Sequence, residues 1–462
     1  MGCTMKTAHS SICCPSQFTH NVGESMTVDV KINHNPFGLP PNSLYEMAAR
    51  INKKRSFLFV SKVLGKHIPL HPEMPLVAAA LLATIYYEGK TSEQSNEKKL
   101  LIDALKEGSK ETLQTANSVI QKMNYELGEP VIFIGFAETA TALGHGVFDC
   151  FTDATYIHST REMLVDKEVT LYFEEEHSHA TDQRCYAPEH LLDHERPICL
   201  VDDEITTGKT ALNIIASIQK RFPRKEYTVL SLLDWRSEED RLRLREFEET
   251  NNVTINTFSL LAGVIQVNGV PALPEEAGKD EQAAFKTPDF NRINLHSLPA
   301  SISDYTFSSM DSSGVENNSS YSALTGRFGI SSNNRKDIEA YCQRAGAYLK
   351  THRKGKKTLC LGTGEFMHIP MKTATYMGEG IWYHSTTRSP IFPIDEKGYP
   401  VKSRFSFDSP DDPSIMNYAY NVADEQYDEV FLFFERPIDD SRLAPMLQQF
   451  NGLPVIHIVD FT

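Results

Sequence analysis

Short, unbroken apolar runs stand at 57–60, 131–134, 169–173, 198–201 and 228–233, with helix-like stretches between them. Such runs read as strands buried on both faces, and strands alternating with helices build a parallel sheet covered on both sides. The pattern returns at 357–361, 430–434 and 455–459, after a helix that sets Ile338, Cys342, Ala345 and Leu349 on one face. The expectation is therefore an α/β chain: a parallel-sheet domain over 31–265, then a second, smaller α/β domain over 325–462. A length of 462 residues also calls for more than one core. Residues 1–30 are polar and mixed and are expected to form a mobile arm. Residues 266–324 are expected to be a Ser/Asn-rich linker, since twelve of the forty residues in 296–335 are serine. Two helices are expected early on: one capped by Asn42 or Ser43 with Leu44, Met47, Ala48 and Ile51 on its face, and a buried one over 74–87.

Charge and cysteine usage narrow the function. Lys and Arg number 46 against 61 Asp and Glu, a net charge of −15, which argues against general nucleic-acid binding. The apolar run 74–87 is too short to cross a bilayer, and the first residues carry no hydrophobic leader. Lys6 stands where a myristoylation motif needs Ser or Thr. The eight cysteines include no CxxC and no zinc-type spacing, and read as structural thiols. A cytoplasmic protein without membrane attachment is expected.

The stretch ICLVDDEITTGKT, 198–210, is the most informative. Four apolar residues form a strand, and Asp202 and Asp203 stand at its C-terminal end, where open α/β sheets bind ligands. Thr206, Thr207, Gly208, Lys209 and Thr210 then open a helix over 211–221, so that backbone N–H groups and hydroxyls can cradle a phosphate while the acids hold sugar hydroxyls. A P-loop would need glycine at Asp203, where a carboxylate would repel the phosphates, and is rejected. This stretch closely resembles the 5-phosphoribosyl-1-pyrophosphate (PRPP) motif of type I phosphoribosyltransferases. The resemblance implies that fold for the first domain, with the acid pair on the ribose, also serving Mg²⁺ mainly through the substrate, and the loop on the 5-phosphate.

Three further stretches fit the same family. Gly135, Ala137, Glu138 and Thr139 follow the run 131–134, where the family carries its pyrophosphate loop; here that loop has no Lys or Arg, and a Mg²⁺ ion could bridge Glu138 to the substrate. Glu176, His177 and His179 lie where the family has its lid and could act as general acid–base groups; the His-x-His pair lacks a third ligand for a metal. Lys54, Arg55, Ser61 and Lys62, with Lys66 just beyond, match the position of an N-terminal hood that contacts base or phosphates.

In the second domain, Gly362, Thr363, Gly364 and Glu365 follow a strand and suit close backbone approach to a ligand, while Thr387, Arg388 and Ser389 offer hydroxyls and a guanidinium to an oxyanion. The cluster 417–421, NYAYN, is polar and aromatic. Together with KRSFLFVSKVLGKHIP and VDDEITTGKT, the segments LGTGEFM, STTRSP and NYAYN resemble bacterial phosphoribosyltransferase–TRSP proteins over about 35–265 and 325–462. That resemblance implies association with tellurite-resistance and stress-response gene clusters and synthesis of a nucleoside-like metabolite. The expected activity is Mg²⁺-assisted phosphoribosyl transfer from PRPP to an unidentified base, with Arg388 and residues 362–365 recognising an anionic part of the acceptor. The alternatives are a PRPP- or nucleotide-sensing regulator and the reverse cleavage of a nucleotide. Homodimers are common in this fold.

Overall fold

A computed structural model of the chain describes residues 17–23, 25–52, 55–174, 182–271, 287–300, 302–422 and 426–462. An eight-stranded sheet organises the first part, in the order Gln17–Val22, Met26–His34, Thr254–Gly269, Glu226–Asp234, Ile198–Ile205, Val131–Gly135, Ala154–His158 and Ile330–Ser331. The five strands from Thr254–Gly269 to Ala154–His158 are parallel; the apolar runs 131–134, 198–201 and 228–233 form three of them, and Ala154–His158 and Thr254–Gly269 add two that no such run marks. Their side chains divide by strict alternation. Phe133, Cys199 and Val201 pack under the helices Met74–Thr91 and Ala140–Phe148, whereas Ile132, Ile134, Ile198 and Leu200 pack under Lys209–Arg221.

The second part is a five-stranded parallel sheet in the order Asn291–Asn294, Ile456–Asp460, Glu429–Phe434, Thr358–Gly362 and Ile381–Ser385. The helix Arg335–Lys350 buries Ile338, Cys342, Ala345 and Leu349 as its spacing predicts. These residues belong to the same apolar cluster as Leu143 and Val147 of the first part, so one core runs through both. Among the described residues, no helix is long and apolar enough to cross a membrane.

Several expectations are corrected. Residues 45–49 form a strand, Tyr45–Ala49, antiparallel to Phe57–Ser61, and only Pro41–Leu44 is helical. Leu44, Met47 and Ala48 fit a helix face, but Tyr45, Met47 and Ala49 alternate onto one buried strand face, where Tyr45 packs edge-on against Phe59 and Trp235. Residues 17–30 of the expected arm enter the main sheet as the hairpin Gln17–Val22 and Met26–His34. Much of the expected linker is also ordered. Asn291–Asn294 edges the second sheet, Ser309–Met310 pairs with Met163–Leu164, and Tyr321 is fully buried. Three of its aromatics, Tyr305, Phe307 and Tyr321, cluster on Phe328, which outweighs the polarity of the serines. The run 169–173 gives a strand, Leu171–Glu174, but in a separate hairpin with Asp182–Cys185.

Burial of His158 and His384 pushes each ring down from 6.5 to about 4. Both therefore stay neutral in the folded chain while the unfolded chain takes up protons below about 6.5, so stability falls as pH drops from 6.5 toward 4. Each histidine is expected to contribute up to about 3 kcal/mol to that loss. Urea unfolding across this window checks it, and His158→Gln should flatten the slope.

Candidate active site

In the main sheet the chain crosses from Val131–Gly135 to Ala154–His158 on one side, then returns to place Ile198–Ile205 on the other. Strand order thus reverses between Val131–Gly135 and Ile198–Ile205, and the crevice beyond their C-terminal ends is where such sheets bind ligands. Both sequence-predicted loops open there. Asp202, Asp203 and Glu204 emerge from the buried strand, half exposed, and the Asp203 N–H donates to Asp202 Oδ1 at 2.9 Å. Gly208 has φ +79, a left-handed turn that glycine adopts without strain, and it delivers the chain into the helix Lys209–Arg221. The Lys209 N–H donates to Thr207 Oγ1 at 3.3 Å, which tightens that turn.

The neighbouring loop is held from behind. Ser159 Oγ accepts from the Ala137 N–H at 2.9 Å, and Gln183 Nε2 donates to the Ala137 carbonyl at 3.3 Å. At Gly135 a Cβ would lie 2.4 Å from the Ala140 carbonyl oxygen, so the tight approach of strand and helix requires glycine. Glu138 is buried, with Oε2 at 3.4 Å from Arg161 Nη1 and Oε1 without a hydrogen-bond partner. Lys66 Nζ donates to Thr139 Oγ1.

These loops face a cleft of about 610 Å³ that brings together much of the predicted set. Asp202, Asp203, Thr206, Thr210 and Glu138 line it from the main sheet, Arg55 from the hood, and Thr387, Arg388 and Ser389 from the second domain. Ala137 and Thr139 line an adjoining recess of about 80 Å³ that Asp202, Asp203 and Thr210 share. Arg55 is paired with Glu204 at 2.5 Å and packs over Phe57.

Other predicted residues lie elsewhere. Ser61 and Lys62 do not line the cleft: Ser61 Oγ accepts from the Val63 N–H, and Lys62 pairs with Glu46 at 3.0 Å. Residues 362–365 form an inter-domain strut instead of a cleft wall. Thr363 Oγ1 donates to the Phe433 carbonyl at 2.8 Å, the Gly364 N–H donates to Thr386 Oγ1 at 3.0 Å, and Glu365 accepts from the Arg161 N–H at 2.8 Å. Gly362 sits behind them in its strand, packed against the Phe366 carbonyl. Lys54, Glu176, His177 and His179 fall outside the described residues, although strands Leu171–Glu174 and Asp182–Cys185 bracket the last three.

Sequence reasoning missed Arg50, Arg161 and Tyr418, all of which line the cleft. Arg161 carried a usable signal, since it follows a buried strand at the ligand-binding edge of the sheet. Tyr418, from NYAYN, is tied to the TRSP segment by reciprocal backbone hydrogen bonds with Thr387 of 2.9 and 2.8 Å.

Behind Arg161 lies a buried ionic cluster. Arg327 donates to Thr160 Oγ1 at 2.6 Å and pairs with Glu365 at 3.2 Å, Glu435 at 3.0 Å and Glu162 at 3.4 Å, while Arg436 pairs with Glu162 at 3.1 Å. Burial alone would raise the Glu162 carboxyl; Arg327 and Arg436 overcome it and hold the group at about 2. Burial keeps Glu435 above its usual range.

Among the described residues, His145, Asp149 and His368 come within 4.8 Å of one another, a spacing that suits a metal. The two rings, however, stack at 3.8 Å and 11°, so their in-plane lone pairs cannot meet at one ion. The Lys372 ammonium already sits 2.7 Å from Asp149 and, against the cost of burial, holds that carboxylate well below its usual range. That cluster is a salt bridge across the domains.

The open α/β sheet, with an acid pair and a Thr-Gly turn at its reversal point, is the arrangement expected of a phosphoribosyltransferase. Residues 44–264 match the family described as phosphoribosyl transferase, and residues 324–450 match the TRSP domain found C-terminal to it. The chain thus carries a domain of the phosphoribosyl transferase family followed by the TRSP domain. Among solved structures it is similar to adenine phosphoribosyltransferase from Trypanosoma brucei, at 12% identity and TM-score 0.28, covering 47% of this chain and 76% of that one. It is similar also to adenine phosphoribosyltransferase from Rhodothermus marinus, at 16% identity and TM-score 0.22, covering 33% and 81%. Orotate phosphoribosyltransferase from Aeropyrum pernix aligns at 16% identity and TM-score 0.20, covering 33% and 73%. No curated protein matches the chain.

Arg327→Met is expected to destabilise the fold by about 3–5 kcal/mol, because it strands buried carboxylates without their cation. Those carboxylates would then protonate more readily, so the loss should be smaller at pH 5 than at pH 8, as denaturant unfolding at the two pH values will read.

Proposed function

We propose that this protein transfers a phosphoribosyl group from PRPP to an acceptor base in the synthesis of a nucleoside-like metabolite. The observation that carries the reading is the convergence of Asp202, Asp203, the 206–210 turn and the Glu138 loop on one cleft at the strand-order reversal. Asp202 and Asp203 hold the ribose hydroxyls and offset the positive charge that develops on the ring. Thr206, Thr210 and the N–H groups that open Lys209–Arg221 hold the 5-phosphate. The C1–O bond breaks with its electron pair leaving on pyrophosphate, the acceptor bonds to C1, and the proton it gives up passes to solvent. The chain contributes positioning and charge stabilisation.

The donor set fits a hard cation: Glu138 Oε1 is buried without a partner, and the Asp202–Asp203 carboxylates line the same recess. Mg²⁺ bound there with the substrate would neutralise pyrophosphate charge. The sensor reading rests on a pyrophosphate loop that lacks cations, and Lys66 and Arg161, both in contact with that loop, favour turnover. The acid–base role of Glu176, His177 and His179 and the link to tellurite resistance and stress stay part of the proposal.

Calorimetric titration of PRPP with Mg²⁺ tests it. Wild type should bind, and the double variant Asp202→Asn/Asp203→Asn should bind at least about 100-fold more weakly, through loss of charge-assisted hydrogen bonds to the ribose. Absence of binding to wild type would sink the reading. Omission of Mg²⁺ should weaken PRPP binding more than ribose 5-phosphate binding.

A further inference from the structure

The loop 135–139 contributes no cation of its own, yet the pyrophosphate assigned to it is a polyanion. Cations reach it from three distant segments. Lys66 arrives from the hood and bonds to Thr139; Arg161 arrives from the end of Ala154–His158 and pairs with Glu138. The third comes from the second domain, where the Arg388 N–H donates to Glu138 Oε2 at 3.5 Å. That contact seats Arg388 against the loop, and its half-buried guanidinium has no hydrogen-bond or ion-pair partner among the described residues. All three cations line the cleft that Asp202 and Asp203 enter.

The cleft lining holds five cations, Arg50, Arg55, Lys66, Arg161 and Arg388, against the four carboxylates of Glu138, Asp202, Asp203 and Glu204, which leaves a surplus of one for an anion. Glu138 is answered by Arg161. Glu162 and Asp411 lie within electrostatic reach of Arg388, but Glu162 is already paired with Arg327 and Arg436, and burial raises the Asp411 carboxyl toward its neutral form. The second domain also fixes Arg161, whose N–H donates to Glu365.

We propose that the second domain completes the pyrophosphate subsite: Arg388 of the TRSP segment binds the pyrophosphate end of PRPP, with Lys66 and Arg161. This rests on the PRPP reading and replaces the expectation that Arg388 faces an anionic acceptor. The guanidinium meets the leaving group where negative charge grows as the C1–O bond breaks, so it stabilises the transition state beyond substrate binding.

Three probes separate the two halves of the substrate: PRPP, inorganic pyrophosphate and ribose 5-phosphate, each titrated with Mg²⁺ into the full chain. Arg388→Ala should weaken PRPP and pyrophosphate by about 10- to 100-fold and leave ribose 5-phosphate within about twofold of wild type. Arg388→Lys, which keeps the charge without the planar fork, should recover part of the loss. Unchanged PRPP and pyrophosphate binding in Arg388→Ala would overturn the assignment, as would an equal loss of all three ligands in a variant that melts like wild type. If Arg388→Ala melts early, Arg388→Gln is read by the same criteria. A wild type that binds ribose 5-phosphate and PRPP while Arg388 proves silent leaves the phosphoribosyl reading standing, whereas a wild type that binds no PRPP fails that reading and this inference together.

Discussion

The Arg327 guanidinium, buried among Glu162, Glu365 and Glu435, is the interaction on which the site depends. A charge removed from water is tolerated only when its partners are close and hydrogen-bonded, so each carboxylate must hold its place for the others to hold theirs. One of these partners, Glu162, is next to Arg161 in the corner after Ala154–His158, and the other two follow strands of the second sheet. The corner 160–162 is thereby locked to the turn after Thr358–Gly362 and to the end of Glu429–Phe434. Arg161 leaves that corner toward Glu138 and the cleft, so the salt-bridge cluster sets the aim of a side chain that its preceding strand only brings to the edge of the sheet.

How much of this could be read in advance follows from the range of the forces involved. The acid pair and the Thr-Gly turn were legible because they need only a strand end and a helix start, both encoded within the thirteen residues 198–210. The meeting of Arg161, Lys66 and Arg388 around one loop was not, because they converge only when the sheet order and the domain packing are known, even though the place of Arg161 after a buried strand is a local signal. Residues 362–365 show the converse. Their Gly-x-Gly pattern is a close-approach signal, and the approach is real, but it is to Thr386, Phe433 and Arg161 and not to a ligand. The segment 45–49 departs from expectation for a different reason: Leu44, Met47 and Ala48 trace a helix face while Tyr45, Met47 and Ala49 trace a strand face, and a long-range aromatic contact with Trp235 decides. The serines at 296–335 concealed an aromatic cluster too sparse to register in composition.

The relation between the two parts is closer than the length of chain between them suggests. Helix Ala140–Phe148 packs against His368–Ala374 through stacked histidine rings and the Lys372–Asp149 bridge, and the apolar cluster continues across that contact. The cleft has Asp202, Asp203, Thr206 and Thr210 on one side and the TRSP segment on the other, so its shape depends on the contact between the two sheets.

The short strand Ile330–Ser331 has a consequence of its own. It runs antiparallel along Ala154–His158, the outermost parallel strand, whose every residue is buried. A chain ending before residue 330 would leave that strand's N–H and C=O groups open along one side, beside an apolar surface stripped of its cover. Exposed sheet edges of this kind recruit other chains. Ile330 and Ser331 thus cover Tyr156 and Thr155 of that edge while the same domain walls the cleft, and a chain released before residue 330 is expected to self-associate more readily.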